Sequence, residues 1–416
     1  SAGTMSAGKC PHTMAGGVAL PDALSPEAIS VVDATAAVVA PAALEITKTF
    51  YGGMIKELPE TVLQFFNPAH NIPISDHQPK ALAGSVCAYA GNIKDLSPLL
   101  VEGGAVDAIN HRHCALCILP EHYPVVHDHL MKAIGTTLGS AVTPEIGAGW
   151  SEAVLFLAKV CIDKEEALYQ AYEQRRGGWR NLKEFTVTGV KEAAEDIKTF
   201  TFASVEPAEG FEFSEGQYLT IKVDPEGDGL TAPRHYTVTS APGEAFLECT
   251  VKKIPGGKVS TYLHEKLSVG DTVKLAPPYG VFTLDADIPS AVLMSAGIGV
   301  TPMINFSRAL GDKVKLAVHV DKAPEAFAFR SHFEAAVGPD KQLVKYTRTG
   351  TARPSAKSLA KETVDLAGTD NIFYICGPEG WMSELQAELL ALGAKKVMCE
   401  VFGSQLATAC PFAATA

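Results

Sequence analysis

The residues best suited to chemistry crowd into one short stretch, His111-Arg112-His113-Cys114, with Cys117 three residues on. The run before it, Ala105-Val106-Asp107-Ala108-Ile109-Asn110, has helical spacing and sets Ile109 and His113 on one face. A neutral imidazole presented from an apolar helical face can be the proximal ligand of haem iron. It can also be a buried, hydrogen-bonded histidine, the commoner fate of a lone one. Cys114-x-x-Cys117 raises zinc, but a second Cys/His pair at ligand spacing is missing. Covalent haem needs Cys-x-x-Cys-His, and here the histidine comes first. This stretch alone leaves haem and a structural histidine both open.

A second group of motifs lies downstream. Ser295-Ala296-Gly297-Ile298-Gly299-Val300-Thr301-Pro302 follows an apolar strand and opens a helical run. Glycines there let the backbone approach a pyrophosphate, and a helix N-terminus favours the anion. Pro302 takes the place of the third glycine of the full dinucleotide fingerprint. Another strand end, Tyr374-Ile375-Cys376-Gly377-Pro378, would line the same crevice at the strands' carboxyl ends. Upstream, Arg234-x-Tyr236-Thr237 offers an arginine for a flavin pyrophosphate and a tyrosine for its ring or ribityl hydroxyls. Gly256-Gly257-Lys258-Val259-Ser260 adds small residues and backbone amides for the same phosphates. Each motif alone has a plain structural explanation; their order is far more specific.

Three kinds of element must position these groups. Residues 1–24 are rich in Gly, Ala, Ser and Pro and read as a disordered tail, as do 405–416. Cys10-Pro11 and Cys410-Pro411 lie in those tails and read as solvated chain. From Ser25-Pro26-Glu27, an N-cap with Pro at the first helical position, apolar residues recur at helical spacing over 26–40 and 42–56. Helical runs follow from Gln78, around His113, from Glu121 to Gly139 and from Pro144 to about Gln174. Gly177-Gly178-Trp179 ends this all-helical domain, 25–176. The period then becomes two. Strands at Gln217–Val223, Arg234–Thr239 and Phe246–Lys252 predict an antiparallel barrel over 180–285. Short apolar strands at Ala291–Met294, Val314–Val320 and Asn371–Ile375, alternating with helical segments, predict a parallel α/β sheet over 286–404.

The totals agree with a multidomain soluble chain. Its 416 residues suffice for about three domains at roughly 150 residues each. A formal charge of −12 argues against a nucleic-acid partner. Nine scattered cysteines suggest a reducing, cytoplasmic compartment. No apolar run looks long enough to span a bilayer, and no signal-peptide pattern opens the sequence, so no stable membrane anchor is expected.

Arg-x-Tyr-Thr, Gly-Gly-x-Val-Ser, Gly-x-Gly-x-Thr-Pro and Cys-Gly-Pro, in this order, resemble the ferredoxin-reductase family. With a globin-like domain in front and Gly-Gly-Trp at the joint, residues 25–404 resemble a flavohaemoglobin. That resemblance implies an all-α globin domain, an antiparallel β-barrel FAD domain and an α/β NAD(P) domain. It implies haem b, FAD and NADH or NADPH as cofactors, and a monomer that detoxifies nitric oxide by converting it with dioxygen to nitrate. A haem-free NAD(P)H–flavin reductase and a haem-based gas sensor are the alternatives.

Residue by residue, the resemblance makes His113 the iron ligand and sets Arg112 near a haem propionate. Tyr51 and Gln78 match the distal pair that hydrogen-bonds bound oxygen, Leu82 lines that pocket, and Phe66 wedges the haem. The chain is one residue longer between Tyr51 and Phe66, and the 67–78 loop is also longer than usual. Tyr218, Arg234, His235, Tyr236 and Thr237 match flavin positions, with Gly257, Val259 and Ser260. Gly297, Ile298, Gly299, Val300, Thr301, Pro302, Cys376, Gly377 and Pro378 match the nicotinamide-nucleotide turns. Glu400, Val401, Phe402 and Gly403 match the segment that covers the flavin, valine standing where cysteine is common. Tyr123 matches a tyrosine that joins a glutamate and the proximal histidine in one network. That glutamate lies two residues before a tyrosine and twelve before the linker tryptophan, and both counts land on Ala167. The expectation is that Glu166 turns inward or that the carboxylate is missing.

Overall fold

The structure is a computed structural model that describes residues 19–206, 209–229, 231–348 and 353–402. The chain divides into two compact units, one helical, and one running from Tyr169 to Ser404 with Ala115–Cys117.

In the helical unit, α1 (Pro26–Glu57) is capped by Ser25, whose Oγ accepts from the Ala28 amide at 3.1 Å. One helix spans the two segments expected on either side of Pro41. Pro41 and Ala37 are both exposed, so the carbonyl that loses its amide partner is left to water. α1 is long and apolar enough to cross a bilayer, contrary to the reading of the sequence. Its Val32, Val39, Ile46, Phe50 and Met54 are buried in the helical core, and we read it as a core helix. There follow α2 (Pro59–Val62), α3 (His77–Gly91), α4 (Ala105–Ala115), α5 (Tyr123–Leu138) and α6 (Pro144–Glu173). The Thr47 hydroxyl donates to the Pro79 carbonyl at 2.8 Å, tying α1 to the start of α3 one turn before Tyr51. α6 runs through the division. Its Tyr169 and Tyr172 pack on Tyr279, centroids 6.5 and 4.5 Å apart, so the second unit starts earlier than Gly177-Gly178 suggested.

The second unit opens with six antiparallel strands, β1 (Lys183–Ala194), β2 (Ile197–Ser204), β3 (Tyr218–Val223), β4 (Ala232–Thr237), β5 (Leu247–Lys252) and β6 (Thr272–Tyr279), in the order β4-β3-β6-β1-β2-β5. A bridge between Val238 and Cys249, and the Thr239 amide on the Glu248 carbonyl at 2.8 Å, join the two edges. Trp179 fills this barrel's core beside Phe185 and donates its indole N–H to the Leu275 carbonyl at 3.0 Å. α7 (Lys258–Glu265) lies between β5 and β6.

A parallel sheet follows, with β7 (Ala291–Ala296), α8 (Thr301–Leu310), β8 (Val314–Asp321), α9 (Arg330–Val337), β9 (Gln342–Tyr346), α10 (Ala356–Ala367), β10 (Ile372–Cys376), α11 (Glu379–Ala391) and β11 (Lys396–Glu400). The strand order β11-β10-β7-β8-β9 reverses direction between β7 and β10. Such a switch point opens a crevice at the strands' carboxyl ends. Barrel and sheet form one compact unit: the Asn305 amide donates to the Val238 and Ser240 carbonyls at 3.0 and 2.9 Å, and Arg308 to the Thr239 carbonyl at 2.7 Å.

The turn after β7 is packed backbone against backbone. A Cβ at Gly299 would sit 2.2 Å from the Cys376 carbonyl oxygen, whereas one at Gly380 would meet nothing within 4 Å. Gly299→Ala is therefore expected to lower unfolding stability by about 1–3 kcal/mol. Gly380→Ala, in α11, should be neutral or stabilising by up to about 1 kcal/mol. Urea unfolding of the two variants checks this, and equal midpoints would contradict the close approach.

Candidate functional site

α4 carries His113, whose Nδ1 is 2.7 Å from Oε1 of Glu165 on α6 and 3.2 Å from the Tyr123 hydroxyl at the start of α5. Tyr123 donates its own O–H to the same Glu165 oxygen at 2.6 Å. The Glu165 side chain is 3% exposed, while the His113 side chain is 34% exposed. Burial pushes the Tyr123 hydroxyl's pKa well up, so it keeps its proton and remains a donor. A carboxylate accepts and cannot donate, which puts the imidazole proton on Nδ1 and leaves the Nε2 lone pair to bind a metal.

The carboxylate expected from Glu166 is thus supplied by Glu165. Ala167, where both counts landed, is exposed, and Glu166 is half-buried. Fourteen residues separate Glu165 from Trp179 rather than twelve, and Tyr169 lies four residues beyond it rather than two. Cys161, Ile162, Glu165 and Tyr169, all buried, follow one face of α6, and Glu166 is turned about 100° away. The helical period along that face marks Glu165 as inward, a signal that residue counts from the linker do not carry.

The distal residues gather in the same unit. Tyr51 is buried on α1, in T-shaped contact with the Phe66 ring at 5.4 Å. Phe66 therefore fills the position beside Tyr51, while Phe65 packs on His122 at 4.9 Å. Leu82 belongs to the same apolar cluster, one turn after Gln78 on α3. Burial drives the pKa of the Tyr51 hydroxyl upward, more than Gln78 pulls it down, so it too remains protonated. The Gln78 carbonyl oxygen accepts from the Asn71 amide at 2.9 Å, a partner no sequence motif had flagged. Arg112 is half-buried on α4. Among the described residues no group of three or more His, Cys, Asp and Glu side chains could hold a metal ion, which removes the support for zinc. A single imidazole with its Nδ1 engaged and part of its surface uncovered, in a unit carrying a buried hydroxyl donor, fits haem.

In the barrel, Tyr218 pairs with Thr237, Thr220 with His235, Leu219 with Tyr236 and Ile221 with Arg234. Tyr218, His235 and Thr237 thus share one face of the β3–β4 ribbon, and Arg234 and Tyr236 the other. Tyr218 and His235 have ring centroids 4.7 Å apart, and His235 Nδ1 meets the Thr220 hydroxyl at 2.8 Å. Arg234 is largely buried, and desolvation lowers its pKa. Among the described residues it forms no ion pair, and it donates to the Pro233 carbonyl at 2.7 Å. A desolvated guanidinium of this kind fits a pyrophosphate. Gly257 precedes α7, whose Val259 and Ser260 are buried, and Ser260 Oγ accepts from the Ile254 amide at 3.1 Å.

Gly297 to Val300 form a single 3₁₀ turn, and Thr301 and Pro302 begin α8. Gly297 has φ +53°, and Thr301 donates its hydroxyl to the Ile298 carbonyl at 3.0 Å. Cys376 ends β10, with Gly377 and Pro378 leading into α11, so both turns flank the switch point. Glu400 pairs with Cys376 at the end of β11. Val401 is half-buried and Phe402 is 48% exposed, while Gly403 lies outside the described residues.

Glu165 and not Glu166 should therefore govern the donor strength of His113. In the haem-loaded protein, Glu165→Gln is expected to lower the ferrous iron–histidine stretching frequency and raise the iron potential, with Glu166→Gln leaving both unchanged. Resonance Raman spectra of the two variants check this; a response to Glu166→Gln alone would reverse the assignment.

Known proteins give the same answer. A family profile described as "Oxidoreductase FAD-binding domain" matches residues 184–284. The flavohemoprotein of Pseudomonas putida is 35% identical over 383 residues, covering 89% of this chain and 95% of that one. Flavohemoprotein A of Dictyostelium discoideum is 33% identical over 401 residues, covering 91% and 98%. A crystal structure of flavohemoglobin from Malassezia yamatoensis with bound FAD and heme superposes with a TM-score of 0.78 at 27% identity, covering 91% of this chain and all of that one. With identity at this level along nearly the whole length of its relatives, and both halves of the fold in place, the chain belongs to the flavohaemoglobin family, an NAD(P)H-dependent oxidoreductase family.

Proposed function

We propose that this protein is a nitric oxide dioxygenase. Two nitric oxide and two dioxygen molecules, with one NADH or NADPH, give two nitrate ions, NAD(P)⁺ and a proton. The observation that carries this reading is the pairing, within one unit, of a buried protonated Tyr51 beside Gln78 with a histidine whose Nδ1 is held by a buried carboxylate. Haem and FAD, when bound, supply a gas-binding iron and a converter of hydride into single electrons.

The chain's own residues have distinct tasks. Glu165 and Tyr123 hold the proton on His113 Nδ1 and strengthen its Nε2 as a donor. Tyr51 donates to the partial negative charge of a gaseous ligand, as preorganised donors do for developing charge. Phe66 and Leu82 keep that region apolar. Arg234 meets the flavin pyrophosphate, with Tyr218, His235, Tyr236 and Thr237 around the rest of the flavin. The Gly297–Pro302 turn at the start of α8 holds the nicotinamide-nucleotide phosphates. We assign the enzyme to the cytoplasm, a reading supported by nine cysteines scattered along the sequence without a disulfide framework.

Purified protein given NADH and oxygen is expected to consume nitric oxide and yield nitrate in equal amount. NADH oxidation without nitric oxide loss would reduce it to a flavin reductase. His113→Ala should lose haem and this activity while keeping flavin. Tyr51→Phe should release dioxygen from the ferrous protein roughly ten- to a hundred-fold faster, since a hydrogen bond to a charged acceptor is worth about 1.5–3 kcal/mol. Stopped-flow displacement measures this, and an unchanged off-rate would remove Tyr51 from the ligand site.

A further inference from the structure

We propose that Lys252, a residue of the barrel, binds the pyrophosphate of the nicotinamide dinucleotide and supplies the full positive charge that the Gly297–Pro302 turn lacks. This rests on the reading of that turn as the nucleotide-phosphate site, and not on nitric oxide chemistry.

Lys252 is the last residue of β5, whose Leu247, Cys249 and Val251 belong to the barrel core. The strand's period of two turns Lys252 to the opposite face from them. Its ammonium ends at the turn after β7. A Cβ built on Gly297 would lie 3.9 Å from Lys252 Nζ, and, chain neighbours aside, no other atom of the described residues comes within 4 Å of it. The two glycines of the turn therefore do different jobs. Gly299 is closed off by the Cys376 carbonyl, whereas half-buried Gly297 opens on a gap with an ammonium at its far side.

Charge gives that gap an occupant. The start of α8 offers amides and roughly half an elementary charge. Each phosphate group of a pyrophosphate carries a whole negative charge, so the turn alone leaves it undercompensated. Lys252 is placed to make up the difference. Neighbouring barrel lysines are already engaged, Lys253 with Glu265 at 2.6 Å, Lys258 with Glu226 at 3.0 Å and Lys198 with Glu192 at 3.3 Å. Lys252 is half-buried and among the described residues forms no ion pair. A partly desolvated ammonium without a counter-charge carries a cost that an arriving anion offsets. Gly297 lies at the glycine turn, where the pyrophosphate crosses, and not at the end of β8, where the adenosine ribose is read. Lys252 should therefore serve NADH and NADPH alike.

The test uses the full-length holoprotein. ADP-ribose, which carries the pyrophosphate but cannot reduce flavin, is the calorimetric probe, alongside stopped-flow flavin reduction by NADH and by NADPH. Lys252→Gln should weaken ADP-ribose binding roughly ten- to a hundred-fold, the worth of a hydrogen bond between charged groups. It should raise the half-saturating concentrations of both dinucleotides by a similar factor while the limiting rate of flavin reduction stays within about two-fold. It should also flatten the dependence of binding on salt. Lys252→Arg keeps the charge and should recover most of the affinity, and Lys253→Gln should behave as wild type. Unchanged ADP-ribose affinity in Lys252→Gln, a loss confined to NADPH, or a loss of bound FAD would each overturn the proposal. A wild-type protein that binds no ADP-ribose would remove the nucleotide site and the proposal with it. Should Lys252→Gln fail to fold, Lys252→Met decides in its place. None of these readouts involves nitric oxide or haem, so failure here is distinct from failure of the dioxygenase reading.

Discussion

The buried carboxylate of Glu165 is the constraint on which the helical unit depends. One of its oxygens accepts from both the His113 imidazole and the Tyr123 hydroxyl. Burying a carboxylate is costly unless its hydrogen bonds are made, so α4, α5 and α6 must meet at this point for the site to form. The same interaction decides the chemistry. It selects the imidazole tautomer with Nε2 bare, and makes that nitrogen a stronger donor. The proximal arrangement is a folding constraint and an electronic setting at once.

The second unit answers to a different demand, that of holding dianionic nucleotides on a chain whose own formal charge is −12. A desolvated arginine, Arg234, offers positive charge locally, and the turn after β7 offers backbone groups. The turn after β7 is small because the Cys376 carbonyl presses on Gly299, and the strand order places that turn at the switch point. Asn305 and Arg308 reach from α8 to barrel carbonyls, so the nucleotide turn and the flavin strands belong to one rigid framework of hydrogen bonds.

Much of this was legible in the sequence. The period change after Trp179, the Ser25 cap, the β7 turn and the Arg-x-Tyr strand all carry local signals, and each appears in the structure where its pattern put it. Three parts were not legible in local patterns. Counts from Tyr169 and Trp179 point to Ala167 and its neighbour Glu166 because they assume a fixed length of chain after the carboxylate. Burial of Cys161, Ile162 and Tyr169 shows that helical phase, and not distance from a landmark, decides which carboxylate turns inward. Pro41 likewise suggested a break, but an exposed proline in a helix held by a buried opposite face is tolerated. Asn71 was invisible for a deeper reason. A loop amide has no periodicity, and its meaning lies in which atoms it faces, which only the folded chain reveals.

The central claim is that one chain carries electrons from a nicotinamide nucleotide to a gas-binding iron. Its most direct test is the absorption spectrum of the purified full-length protein before and after anaerobic addition of NADH or NADPH. The account predicts overlapping haem and flavin bands at the start, followed by loss of the flavin band and conversion of the haem band to its ferrous form. A flavin that bleaches while the iron stays ferric, or a preparation that takes up no haem, would contradict it.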